Sequence, residues 1–374
     1  MADPDLIALE LRHHETIDEL RRRQPISWVP ALDGWVVTTR ELAVAVMRDA
    51  AAFTVDDPRF STAQVVGESM LSLDGAEHLR HRTPFAEPLR PAEATARYGG
   101  EIRSLADQLV AALVPSRRAE LRRELAGPLA VSVSAMVLGL AHDDTASLLA
   151  VYDRIVAAVN EVSSGADVPA DGRAAFDELS GELRTAVEVP GTLVHEVARS
   201  LSANEVVSNA AVFLFGGIET SEGMTANALR HLLADPALWA AVVADPSLVE
   251  AAVEESLRLE PAAARVDRYA TRDVHLGGAS IRRGDLVVVS LAGANRDPSV
   301  YEAPGRFDLG RQNSRSHVAF AHGPHACIGA QLARLQTRAA VVAMVEQTPS
   351  VRLVEAGPTS GAIFRKPAHL LVEW

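Results

Sequence analysis

The sequence predicts a mainly α protein with a minor β component, folded as one domain over residues 1–374. Three observations carry this. Apolar residues make up 48% and charged residues 23% of the chain, the composition of a globular protein and not of a disordered or fibrous one. Helical apolar spacing recurs along most of the length. Strand-like spacing is confined to a stretch after residue 270 and to the C-terminal tail.

In chain order, residues 40–49 have helical spacing, and a long loop is expected over 53–75, which holds Pro58, Gly67 and Gly75. A helix is predicted from about 92 to 113. Pro128 opens an apolar stretch to Leu140, and Asp143-Asp144 is the predicted start of a helix reaching Val162. Residues 163–172 are rich in Ser, Gly, Pro and Asp and read as a loop. Residues 172–187 are amphipathic, and Pro190-Gly191 breaks them. The clearest helix follows. Ser202 and Glu205 form an S-x-x-E capping box, Asp235-Pro236 ends the segment, and its middle, 210–215, is apolar on every side, as in a buried helix. Ser247 and Glu250 predict a second capping box, for a helix that Pro261 stops. Residues 274–276, Gly277-Gly278 and 286–291 read as a small antiparallel sheet. Residues 295–320 meander, and 328–347 are helical again. There is no repeat and no linker.

Charge and cysteine usage exclude several classes. With 36 basic and 49 acidic residues the net charge is −13, so no nucleic-acid partner is expected. Lys366 is the one lysine among the 36 basic residues. The single cysteine, Cys327, excludes a disulfide-stapled scaffold. The acidic N-terminus is unlike a signal peptide, and no apolar run approaches the roughly 18–20 residues that span a bilayer. A cytoplasmic monomer without membrane contact is the expectation.

Cys327 lies where a loop broken by Gly323 and Pro324 runs into a helix. Free N–H groups and the helix dipole there favour an anion and should lower a thiol pKa. A thiolate among small residues suits axial ligation of a flat iron macrocycle. Two alternatives stand beside this: an inert buried cysteine, and a zinc site using His322, His325 and Cys327. In the long helix, Gly216-Gly217 precede Glu219 and Thr220. Each interior glycine costs about 1 kcal/mol against alanine, which a backbone opened locally for a diatomic ligand would explain.

Phe-x-x-Gly-x-His-x-Cys-x-Gly, residues 320–329, resembles the haem-thiolate signature of the cytochrome P450 family, with Ala321 where the family usually has glycine. Gly216-Gly217-Ile218-Glu219-Thr220 resembles its oxygen-binding stretch, and Glu255 and Arg258 its Glu-x-x-Arg pair, joined by Arg306. The likeness covers essentially everything beyond residue 35. It implies the P450 fold, one large helical domain with small antiparallel sheets around buried haem b, with Cys327 as the axial thiolate on iron. It also implies that His78, Arg82, Arg268 and His325 hold the haem, with His317 a weaker candidate, and that Glu219 and Thr220 deliver protons. The activity implied is insertion of one oxygen atom from O2 into a small or mid-sized organic substrate of bacterial secondary metabolism. Oxidative cyclisation or coupling, and haem binding without turnover, are the alternatives. The substrate walls would come from 55–73, 151–187, Phe213, 261–266 and 361–364, with Arg265 pairing a substrate carboxylate. The chain is short for the family, and the shortage falls between Ser164 and Ser202. Electrons would come from ferredoxin and ferredoxin reductase, docked on a basic face of Arg80, Arg82, Arg90, Arg334 and Arg338.

Overall fold

The computed structural model describes residues 4–140, 145–163 and 167–374. The predicted helix start at Asp143-Asp144 lies outside them. The chain begins with two helices that the spacing did not reveal, α1 (Leu6–Leu11) and α2 (His13–Arg23). The hairpin β1 (Ile26–Val29) and β2 (Gly34–Val37) follows, then α3 (Arg40–Arg48). The expected loop over 53–75 holds the short β3 (Phe53–Thr54) and α4 (Ser61–Val66).

Next come α5 (Gly75–Ala86), α6 (Pro91–Leu113) and β4 (Arg118–Glu120). A five-residue π turn, Arg122–Ala126, precedes α7 (Gly127–Leu138). Then follow α8 (Thr145–Ser163), α9 (Ala170–Ala186) and α10 (Leu193–Val197). The long helix is α11 (Ala203–Leu233), 31 residues and about 46 Å. Its capping box forms as predicted: Glu205 N–H donates to Ser202 Oγ at 3.5 Å, and Ser202 N–H to Glu205 Oε2 at 2.8 Å.

After α12 (Pro236–Ala244) comes α13 (Val249–Leu259). Its predicted Ser247–Glu250 box does not form. Asp245 takes the capping role, accepting from Ser247 N–H and Oγ, while Glu250 pairs with Arg315. A 3₁₀ turn over Pro246–Leu248 pushes the helix start one residue on.

The remaining elements are β5 (Arg265–Ala270), β6 (Val274–Leu276), β7 (Ala279–Ile281), β8 (Leu286–Ser290), α14 (Leu291–Ala294), α15 (Ala330–Gln347), β9 (Arg352–Ala356), β10 (Thr359–Ser360), β11 (Lys366–Pro367) and β12 (Leu370–Glu373). β6 and β7 form the hairpin at Gly277-Gly278. β8 does not join it. It enters a five-stranded sheet of order β1-β2-β8-β5-β3, antiparallel to β5 but parallel to β2. The core runs along α11, which packs on α7 and α15, with α15 in turn packed on α6. Among the described residues no single helix is long and apolar enough to cross a membrane.

Candidate functional site

Cys327 sits on the last turn before α15. Its N–H donates to Phe320 O at 2.9 Å, closing the loop. Gly323 has φ +75, and a Cβ there would lie 2.3 Å from Met47 O, so only glycine fits. Ala321 has φ +56. The position is left-handed, and the alanine carries a strain that glycine would not.

The sulfur opens into a cavity of about 1280 Å³, including space at its mouth. The helix start alone predicted a lowered thiol pKa. Burial instead pushes it up, with Gly329 N–H, Arg82 and Arg334 pulling the other way; a bound metal cation would reverse the balance.

Phe213, Gly216, Gly217 and Thr220 of α11 line the same cavity. A Cβ on Gly216 would meet nothing within 4 Å, so it would occupy cavity space. The helix is not opened as the glycines suggested. It stays continuous, and Thr220 Oγ1 donates to Gly216 O at 2.5 Å. Glu219 lies outside the cavity, with Lys366 Nζ at 2.8 Å.

The third wall carries the charge. Arg82 and His325 line the cavity, and Arg82 donates to Ala326 O. His325 Nε2 lies 2.8 Å from Asp74 Oδ1, and its ring is 4.2 Å from that of His78. His78 Nε2 is buried without a hydrogen-bond partner. Burial, helped by His325 and Arg82, lowers His78 to about 4. Arg268 is buried beyond the lining and donates to Asp267 O at 2.7 Å. Asp74 is the functional residue that the sequence reading missed. Burial alone would raise it, but hydrogen bonds from His325, Thr54 and the Val55 N–H outweigh that and bring it to about 2. Its position just before α5, four residues ahead of His78, was the available signal.

The zinc alternative finds no ligand set: among the described residues no three His, Cys, Asp or Glu groups converge. A large flat group does fit. One thiol and a Cβ-free helix stretch line the cavity, and Arg82 and His325 line it too, with the bare nitrogen of His78 beside them, as a macrocycle with two carboxylates requires.

Comparison with known proteins agrees. Residues 191–348 match the family model for cytochrome P450. Nocardicin C N-oxygenase of Nocardia uniformis subsp. tsuyamanensis is 33% identical over 99% of this chain and 97% of its own. The P450 monooxygenase PikC of Streptomyces venezuelae is 33% identical over 91% and 85%. The chain belongs to the cytochrome P450 family. The crystal structure of CalO2 superposes with TM-score 0.87 at 28% identity, covering 97% of this chain and 96% of that one. The protein is thus a P450 monooxygenase whose cofactor is haem with cysteine-ligated iron.

Several finer expectations change in this P450. Glu255 and Arg258 are fully buried and 2.7 Å apart, as expected. Their third partner is Arg311, 2.9 Å from Glu255; Arg306 supplies only its backbone carbonyl. His317 is bound to Glu254 at 3.2 Å, away from the cavity. Arg265 does not line the cavity and faces Asp267 at 3.6 Å. Of the expected walls, Met70, Leu71, Phe213, Ala262, Ala263 and Val266 contribute. The described parts of α8 and α9 and the 361–364 turn do not, although Phe364 packs on Phe215. The basic face is mostly neutralised. Arg80 binds Glu77 and Glu205, Arg90 faces Glu87 and Arg334 binds Glu254, Arg82 turns inward, and Arg338 stays exposed.

Proposed function

We propose that this P450 inserts one oxygen atom from O2 into a neutral, largely apolar substrate of small to middle size, in secondary metabolism. One observation carries the reading: Cys327 and the Gly216, Gly217 and Thr220 stretch of α11 line one and the same mostly apolar cavity. Haem bound there supplies O2 activation and oxygen transfer. Cys327 is its thiolate ligand. Arg82, His78 and His325 hold its propionates, with Arg268 behind them. Asp74 fixes the His325 ring.

Thr220 lines the cavity with its hydroxyl bonded to Gly216 O, and Glu219, the adjacent carboxyl group, supplies its protons. Met70, Leu71, Val212, Phe213, Ala262, Ala263 and Val266 exclude water around the substrate. With Arg265 turned to Asp267, a substrate acid has no cationic partner on that wall, which is why a neutral substrate fits. Relatives named for nocardicin C and mycinamicin VIII support secondary metabolism. We take the chain as one domain over 1–374, monomeric and cytoplasmic, reduced by ferredoxin and ferredoxin reductase. With the arginines paired, docking should depend only weakly on salt.

The test is spectroscopic. The reduced protein with carbon monoxide should show a thiolate-type Soret band, and C327S and C327A should lose it. An identical band in either variant would overturn the ligand assignment. Titration of the ferric protein with neutral apolar compounds should shift its spin state where matched carboxylic acids do not; the opposite preference would overturn the substrate class.

A further inference from the structure

Every basic residue but one is an arginine, and the exception lies at the proposed proton donor. Lys366 Nζ sits 2.8 Å from Glu219 and 2.6 Å from Glu222. Its side chain is 18% exposed, so this is not a solvated surface pair. The strand reaches α11 this closely because of Gly223: a Cβ there would stand 3.1 Å from Ala262 Cβ, 3.4 Å from Arg365 O and 3.5 Å from Lys366 Cβ. Arg365, one residue earlier, turns instead to Glu260 at 2.7 Å, as extended backbone dictates.

The cluster continues away from the cavity. Glu222 also accepts from Arg122 Nε at 2.7 Å, out of the π turn. On α8, Tyr152 is buried beside Glu219 and Glu222, and Asp153, exposed to solvent, lies close enough to feel both Glu222 and Lys366. Thr220 thus faces the cavity while its neighbour Glu219 is tied to a charge network leading to the surface. The choice of cation has a physical reason. An ammonium is a compact charge with three rotatable donors and can be shared by two carboxylates. A guanidinium fork would hold one of them bidentately and more firmly.

We propose that Lys366 is a positioning residue for the reaction: it holds Glu219 with Glu222 on the flank of α11 outside the cavity, so that Glu219 passes a proton to Thr220 only when the pair opens. This rests on the proposed acid role of Glu219 and deepens it.

The unique lysine provides the test. Labelling the haem-loaded protein with ¹³C,¹⁵N-lysine gives one lysine side-chain signal. That signal should move in both E219Q and E222Q; no movement in E219Q overturns the proposal. A second readout is peroxide release by the holoenzyme reduced through ferredoxin, ferredoxin reductase and a reduced nicotinamide in aerated H2O and D2O, since each peroxide takes two electrons from that chain and two protons. K366M should be faster than the parent and K366R slower, each by about threefold or more, within the range of coupling for side chains in contact. The K366M effect should vanish in an E219Q background. An equal effect there, or K366M and K366R altered alike, overturns it. Should K366M fail to give the reduced carbon monoxide band, K366R carries the test through its slower rate. If E219Q itself matches the parent in rate and isotope ratio, the acid role of Glu219 falls first and the proposal with it, even where the lysine signal has moved.

Discussion

The charge cluster around Glu255 and the one at the cavity edge are built differently. Around Glu255, every donor and acceptor is answered by protein. Arg258 binds both carboxylate oxygens and the carbonyls of Asn295, Pro304 and Arg306, and Arg311 adds a further contact. At the cavity edge, His78 keeps a bare buried nitrogen and Arg82 donates to one backbone carbonyl. A closed network is complete in itself and holds the meander in place. An unfinished one has capacity for a guest. Satisfaction, and not charge, tells structure from function here.

The sharpest way to break the contrast is to damage each cluster and measure the same quantities. Glu255→Gln leaves Arg258 buried beside a neutral amide and should cost about 3–5 kcal/mol of stability, read by chemical denaturation. A cost below about 1 kcal/mol would show that the closed network is not structural. Arg82→Leu should do the reverse: the haem-free chain should lose little stability or gain some, while haem affinity falls roughly tenfold or more, the worth of one charged hydrogen bond. Unchanged haem affinity would put the edge assignment in doubt.

A pH titration sharpens the comparison further. His78 is held near 4 in the folded, haem-free chain against 6.5 unfolded. Between those values the unfolded chain binds more protons, so stability rises with pH over that window and is lost as pH falls through it. The loss should be at most a few kcal/mol, should vanish in His78→Gln, and should shrink once haem carboxylates favour the protonated ring. A slope unaltered by His78→Gln would contradict this. The smallest effect is expected at Ala321. Ala321→Gly should stabilise the protein by about 1 kcal/mol by relieving the left-handed alanine, seen as a raised Tm. A lowered Tm would mean that the methyl packs more favourably than the strain costs.

Local chemistry made much of this legible beforehand. The capping box of Ser202 and Glu205 marks the start of α11, because both partners lie within one turn. The glycine-broken loop around Cys327 announces a close approach, and the left-handed φ at Ala321 accounts for the glycine expected there. What escaped depends on partners remote in sequence. Arg311 and Arg306 are equally plausible neighbours for Glu255 until the meander is folded. β1 and β2 are short, and β2 takes its second neighbour from residues 286–289. Arg265 seemed free to enter the cavity because nothing local shows that the strand turns it to Asp267. At Ser247 and Glu250 the local signal was present but lost to Asp245, which offered an acceptor two residues earlier.

The parallel seam between β2 and β8 ties residues 34–37 to residues 286–289. On a ribosome adding about 5–20 residues per second, the first strand waits roughly 12–50 seconds for its neighbour to be made. Cys327 emerges later still. The nascent chain therefore cannot seal its sheet until residue 289 has been made, nor grip iron until Cys327 follows, and pigment uptake waits on both.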